Sequence, residues 1–266
     1  MIAVNTKTLK SPAHMPTPLN IMGVPVVPFE TYDQALGCFE EAIESNQKSF
    51  WIAINPVKIY RAWHEPELLK LLRQTDVCIC DGVGVSIASR ILYGRSIKRI
   101  TGCDLFYKLL SLASQKQWGV YLLGASAQSN AAARANMQKM YPDLRIVGYQ
   151  DGYFENSRKV IEGINASRAD LLFVAMGSPK QEYWIWRHWP AMDVRFCMGI
   201  GGSLDIASGS IIRAPKVFRM TGTEFLFRFA MEPRKRLSNQ KILLYFLLQV
   251  IRKRLSVPAH LLNWLR

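Results

Sequence analysis

Asp81 ends an apolar run, Val-Cys-Ile-Cys at 77–80, and Gly82 follows it. A carboxylate there either caps the next turn or acts as a base at the sheet edge. Gly177-Ser178-Pro179-Lys180-Gln181-Glu182 reads as the start of a helix. Ser178 suits the N-cap, Pro179 fits the first helical position, and Gln181 stands three residues after the cap, as in a capping box. Free backbone N–H groups at such a start favour an anion such as a diphosphate, although simple capping uses the same residues. Gly199-Ile200-Gly201-Gly202-Ser203-Leu204-Asp205 is a glycine-rich turn after another apolar run. Such a turn lets a nucleotide approach the backbone closely, and Asp205 offers an acceptor for ribose or base groups. Arg99, in Lys98-Arg99-Ile100-Thr101-Gly102-Cys103-Asp104, either anchors a phosphate or pairs with Asp104.

Several chemistries lack their residues. The glycine turn comes at the end of the sheet pattern and lacks the GxGxxG spacing, which argues against a nicotinamide-dependent oxidoreductase. No Walker A string is present, so phosphate transfer from ATP is also disfavoured. His14, His64, His188 and His260 form no cluster, and there is no DxD triplet of the kind that metal-dependent glycosyl transfer uses. No metal and no cofactor is expected. Cys38, Cys78, Cys80, Cys103 and Cys197 show no CxxC pair, and we read them as small buried residues in a reducing compartment.

The elements that must position these residues alternate. Candidate strands are 50–54, 77–80, 120–123, 145–147, 171–176 and 194–198; candidate helices are 31–44, 83–92, 104–115, 128–140 and 157–166. Near-continuous apolar strands between helices predict an α/β fold, a Rossmann-like parallel sheet flanked by helices. Asn55, Asp81-Gly82, Gly124, Gly177–Glu182 and Gly199–Asp205 each follow a strand. In open parallel sheets ligands bind outside the carboxyl ends of the strands, so these residues are expected to share one site.

The chain has 266 residues, 49% of them hydrophobic, enough for one sizeable core. Its net charge of +14 is uneven: residues 211–266 carry 12 Lys+Arg against Glu224 and Glu232, a local net of +10. Such a tail suggests an anionic membrane face or nucleic acid, but basic and aromatic residues do not interleave as on a nucleic-acid fold. The apolar stretch 242–251 reaches only about 15 Å as a helix, half a bilayer core, so it predicts a basic amphipathic helical appendage lying in the membrane interface rather than a span. Packing on the core or on another subunit is the alternative. We divide the chain into an N-terminal arm (1–20, without the apolar segment of a signal peptide), an α/β catalytic core (21–210) and a C-terminal membrane-binding appendage (211–266).

Taken in order, Ile52-Ala53-Ile54-Asn55, Cys80-Asp81-Gly82, Arg99 to Leu105, Gln150-Asp151-Gly152-Tyr153-Phe154, Met176 to Glu182, Gly199 to Asp205, Gly209 and Arg213-Ala214-Pro215-Lys216 resemble the WecG/TagA/CpsF family, glycosyltransferase family 26. The likeness spans about residues 20 to 236. It implies inverting, metal-independent transfer from a UDP-sugar to N-acetylglucosamine on undecaprenyl diphosphate, by an enzyme peripheral on the inner face of the bacterial cell membrane. The strings at 150–154 and 174–182 are most similar to the enterobacterial common antigen branch, whose donor is UDP-N-acetylmannosaminuronic acid. Teichoic-acid members tend to carry Thr where Ala53 stands, and Thr223-Glu224-Phe225 departs from the family's Leu-Glu-Trp. UDP-N-acetylmannosamine and UDP-glucose are the other family donors. By the resemblance Asp81 is the general base, Arg99 and Gln181 hold donor or acceptor, Tyr153 and Asp205 contact the uridine, and Arg228, Arg234 and Arg236 neutralise the leaving diphosphate. Asn55, Gly82, Asp104, Gly124, Gly177, Lys180, Gly201, Gly202 and Arg213 complete the expected substrate-binding set. Self-association is a property the family allows.

Overall fold

A computed structural model describes residues 15–256, with the side chains of Lys235 and Arg236 outside the described set. Residues 1–14 of the expected arm also lie outside it, and the boundary at 20 falls inside a first short strand, β1 (Leu19–Ile21). β1 pairs antiparallel with β2 (Val24–Val26).

Six parallel strands form the main sheet: β3 (Ser49–Ile54), β4 (Val77–Cys80), β5 (Val120–Gly124), β6 (Ile146–Gln150), β7 (Leu171–Ala175) and β8 (Phe196–Gly199), in the order β4-β3-β8-β7-β5-β6. Alternate residues of each strand bury on opposite faces. Phe50, Ile52, Ile54, Cys78, Cys80, Leu172 and Val174 enter one core, under α2 (Pro56–His64), α3 (Pro66–Gln74), α4 (Val83–Tyr93), α7 (Ser157–Ala166) and α8 (Lys180–His188). Trp51, Val77, Ile79, Phe173, Phe196 and Met198 enter the other, under α1 (Tyr32–Glu44), α5 (Gly102–Lys116), α6 (Ala127–Met140) and α9 (Ser203–Ser208). Burial on both faces is why the strands read as unbroken apolar runs. Cys78 and Cys80 share the first face, and burial pushes both thiols up to about 12, so they stay protonated.

This arrangement creates one crevice. The helices after β3 cover the first face, whereas α9, after the neighbouring β8, covers the second. Connections that leave adjacent strands in opposite directions open a gap at their carboxyl ends, where open α/β sheets bind ligands. Ile54 pairs with Cys80, so Asn55 and Asp81 leave β3 and β4 side by side at that gap.

The basic tail folds as α10 (Lys216–Thr221), α11 (Glu224–Met231) and α12 (Pro233–Leu255). α12 is far longer than its apolar stretch, and it packs across α2 and α4. Phe246 and Val250 are fully buried in the first core, Phe246 stacks on Trp63 at 5.9 Å, and Leu243 lies against Gly84. α12, beyond the expected boundary at 210, thus covers core surface. Among the described residues, no helix is long and apolar enough to cross a membrane.

Asp76, just before β4, accepts a hydrogen bond from Phe50 N–H at 2.7 Å. Burial raises its carboxyl from the ordinary 3.8 to about 6, against the opposing pull of its backbone hydrogen bonds. The folded state therefore binds the proton more tightly than the unfolded chain, and the stability this confers is lost as pH rises from about 4 through about 6. Asp76→Asn keeps an acceptor for Phe50 but does not titrate. Thermal melts between pH 4 and pH 7 are expected to show the wild type losing Tm relative to Asp76→Asn as pH rises; parallel curves would contradict the assignment.

Candidate active site

Two cavities meet at the crevice. The larger, about 520 Å³, lies between the ends of β3 and β8 and is lined by Asn55, Lys58, Asp81, Gln181, the 199–203 turn and Arg213 among others. The smaller, about 210 Å³, lies towards α12 and is lined by Asp81, Gly82, Arg99, Glu224, Asn239 and Leu243 among others. Asn55, Asp81, Cys103 and Arg228 border both.

Asp81 is held from one side. Gly102 N–H, in the first turn of α5, donates to Asp81 Oδ1 at 2.7 Å. Oδ2 has no hydrogen-bond partner among the described residues, so the carboxylate keeps one oxygen for the cavities. Asp81 does not cap α4, whose N-cap is Gly82 without a side-chain bond. Asn55 caps α2, its side chain accepting from Lys58 N–H at 2.9 Å.

Arg99 pairs with Glu224 at 3.0 Å and donates to the Arg219 carbonyl, not to Asp104. The alternative partner in the sequence, Asp104, is bound by Arg213 and by Arg219 at 3.5 Å, and Thr101 hydroxyl donates to it at 2.7 Å. These pairs dock α10 and α11 onto the core over the smaller cavity. Arg228 is looser, 3.6 Å from Glu224 and half-exposed, and so is the appendage guanidinium freest to meet an anion at the junction of the cavities.

The start of α8 differs from expectation. Its N-cap is Pro179, and no side chain caps it. Gln181 forms no capping box, because its amide is drawn inward: Gly201 N–H donates to Gln181 Oε1 at 3.1 Å and Gln181 Nε2 donates to Glu182 at 3.0 Å. Tertiary partners have replaced the local cap.

Of the expected site residues, the cavities gather Asn55, Asp81, Gly82, Arg99, Gln181, Gly201, Gly202, Arg213 and Arg228. Asp104, Gly124, Tyr153, Gly177, Lys180, Asp205 and Arg234 line neither. Asp104 is occupied by arginines. Gly124 has a packing reason to be glycine: at φ +121°, a Cβ there would lie 2.3 Å from the Ala175 carbonyl oxygen. Tyr153, beyond the edge strand β6, is 82% exposed, and Asp205 sits in the first turn of α9. The Arg236 side chain lies outside the described residues. Sequence reading missed Lys58, Cys103, Glu224 and the apolar rim of Ile211, Ile212, Phe227 and Met231 around the larger cavity. Only Glu224 carried a signal, as one of two acids, with Glu232, in the basic stretch 211–266. Among the described residues, no group of three or more His, Cys, Asp or Glu side chains is placed to hold a metal ion.

Residues 19–259 match the model of the glycosyl transferase WecG/TagA/CpsF family. A Bacillus spizizenii protein named N-acetylglucosaminyldiphosphoundecaprenol N-acetyl-beta-D-mannosaminyltransferase is 33% identical, over 72% of this chain and 74% of its own length. Proteins of the same name from Staphylococcus aureus MRSA252 and Bacillus subtilis 168 are 32% and 31% identical, over 80% and 68% of this chain and 84% and 70% of their own. A match of this extent over both the parallel sheet and the helices that close its crevice shows the relationship, and the chain belongs to the WecG/TagA/CpsF family of glycosyl transferases.

Proposed function

We propose that the enzyme transfers an N-acetylmannosamine-type sugar from its UDP derivative to N-acetylglucosamine-diphosphate-undecaprenol, with inversion and without a metal, in surface polysaccharide synthesis. The observation that carries this reading is the position of Asp81, bound through Oδ1 and bordering two cavities through the rest of its carboxylate. The larger cavity takes the donor, with its diphosphate on the glycine turn; the smaller admits the acceptor sugar. Asp81 Oδ2 takes the proton of the acceptor hydroxyl as that oxygen attacks the anomeric carbon. The bond from that carbon to the phosphate oxygen breaks, and UDP leaves with the electron pair. Arg228 faces the charge that develops on the diphosphate, joined by Arg213, Arg234 and Arg236. Stabilisation of this kind is worth about 3–4 kcal/mol.

The donor is UDP-N-acetylmannosaminuronic acid, a reading supported by the strings at 150–154 and 174–182 and by Ala53 in place of threonine. UDP-N-acetylmannosamine is the second reading, favoured by the mannosaminyl activity named for the Bacillus and Staphylococcus relatives.

The acceptor lipid brings the enzyme to the inner face of the cell membrane. Leu237, Leu244, Leu248, Ile251 and Leu255 are exposed and recur at helical spacing along α12, on the side away from buried Phe246 and Val250. Lys241 and Arg252 lie beside them. An apolar stripe edged with cations supports peripheral binding to anionic lipid, each cation adding about 1 kcal/mol near the surface.

Asp81→Asn is expected to retain UDP affinity while kcat falls by about three decades, the range of a lost general base; turnover with a lipid-diphosphate acceptor analogue measures this, and wild-type kcat would remove the base. Replacing Leu244, Leu248 and Ile251 with serine is expected to abolish sedimentation with vesicles containing anionic lipid while leaving turnover of a short-chain, soluble acceptor unchanged. Undiminished sedimentation would show that another surface binds the membrane.

A further inference from the structure

Beneath the larger cavity lies an ion pair. Lys58 Nζ, on α2, donates to Glu182 Oε1 at 2.7 Å and to the Ala53 carbonyl at 2.8 Å. Lys58 is 5% exposed, Gln181 2% and Glu182 1%. Burying two charges at this depth costs desolvation that their attraction does not recover relative to a well-packed apolar pair. A buried pair of this kind is therefore weak evidence of a stabilising role, and its connections matter more.

Its connections offer a function. Glu182 Oε1 also accepts from Gln181 Nε2 at 3.0 Å, and Gln181 Oε1 accepts from Gly201 N–H at 3.1 Å. A carboxylate can only accept, so the amide NH2 must face Glu182. A backbone N–H can only donate, so the amide oxygen must face Gly201. With both ends constrained, the side chain has one orientation. Gly199 leaves it the necessary space, since a Cβ there would stand 2.5 Å from Gln181 Nε2. The relay thus joins three segments around the crevice: the end of β3 through Ala53, the start of α8 through Gln181 and Glu182, and the turn after β8 through Gly201.

We infer that Lys58 and Glu182 are positioning residues for transfer: the pair fixes the Gln181 amide, and the amide fixes the Gly201 turn against which the nucleotide diphosphate binds. The inference rests on the donor reading of the larger cavity. Neither side chain takes part in the bond changes.

The test replaces the pair as a unit in the full chain, with Lys58→Met/Glu182→Leu, which leaves no unpaired charge. Gln181→Ala, which removes the amide and leaves the ion pair intact, accompanies it. Hydrogen exchange without ligand is expected to accelerate about tenfold or more in the 199–203 segment of the double variant and of Gln181→Ala, while the strand segments keep wild-type protection. The Kd for UDP, measured by calorimetry, is expected to rise about tenfold in both, and the donor KM to follow it. Wild-type exchange in the 199–203 segment of the double variant would overturn the inference, as would loss of protection spread over the whole sheet. If the double variant does not fold, Gln181→Ala alone decides: unchanged exchange and unchanged UDP affinity refute the relay. If the wild type itself binds no UDP, the donor reading fails, and exchange alone judges the positioning claim.

Discussion

A single backbone hydrogen bond, from Gly102 N–H to Asp81 Oδ1, governs what the carboxylate at the end of β4 can do. It anchors one oxygen to the first turn of α5 and leaves the other at the meeting of two cavities. The bond depends on the packing beneath it. β4 lies beside β3 in parallel register, α5 is held by Leu105, Phe106 and Leu109 in the second core, and the gap between β3 and β8 opens because their helices leave to opposite faces. The acid is thus aimed by the sheet rather than by a mobile loop, and it needs little reorganisation when a substrate arrives.

Charge is handled differently on the two sides of Asp81. On the appendage side, Asp104 and Glu224 hold Arg213, Arg219 and Arg99, so most guanidinium groups near the site are already paired and docked. Arg228 is the looser one. Pairing keeps a strongly basic segment folded against the core without gathering uncompensated cations in one place, and a bound diphosphate has a half-exposed arginine to recruit. On the donor side, the Lys58–Glu182 pair is sealed beneath the glycine turn, where it can influence a ligand only through geometry.

The parallel sheet was legible in the sequence because strands buried on both faces have no polar alternation to obscure them. Predicted strand 77–80 coincides with β4, and strand 194–198 starts two residues early because Val194 is buried ahead of β8. The hairpin of β1 and β2 was missed, since two three-residue strands offer no periodicity. α12 was under-read: its apolar stretch stops at the charged runs, but the helix continues through them because Phe246 and Val250 fasten its middle to the core. At the site, residues at strand ends were legible and long-range partners were not. Gln181 fits a local capping box, yet its partner is Gly201, and Asp104 is taken by Arg213, 109 positions away. Lys58 gave no signal, since a lysine in the first turn of a helix ordinarily faces water.

The central claim is that Asp81 stands between a bound nucleotide sugar and its acceptor. A crystal structure of the enzyme with UDP tests it most directly. The account predicts the diphosphate in the larger cavity against Gly201 and Gly202, its terminal phosphate directed towards Asp81 Oδ2. A nucleotide held wholly in the smaller cavity, or bound with Asp81 out of reach of that phosphate, would contradict it.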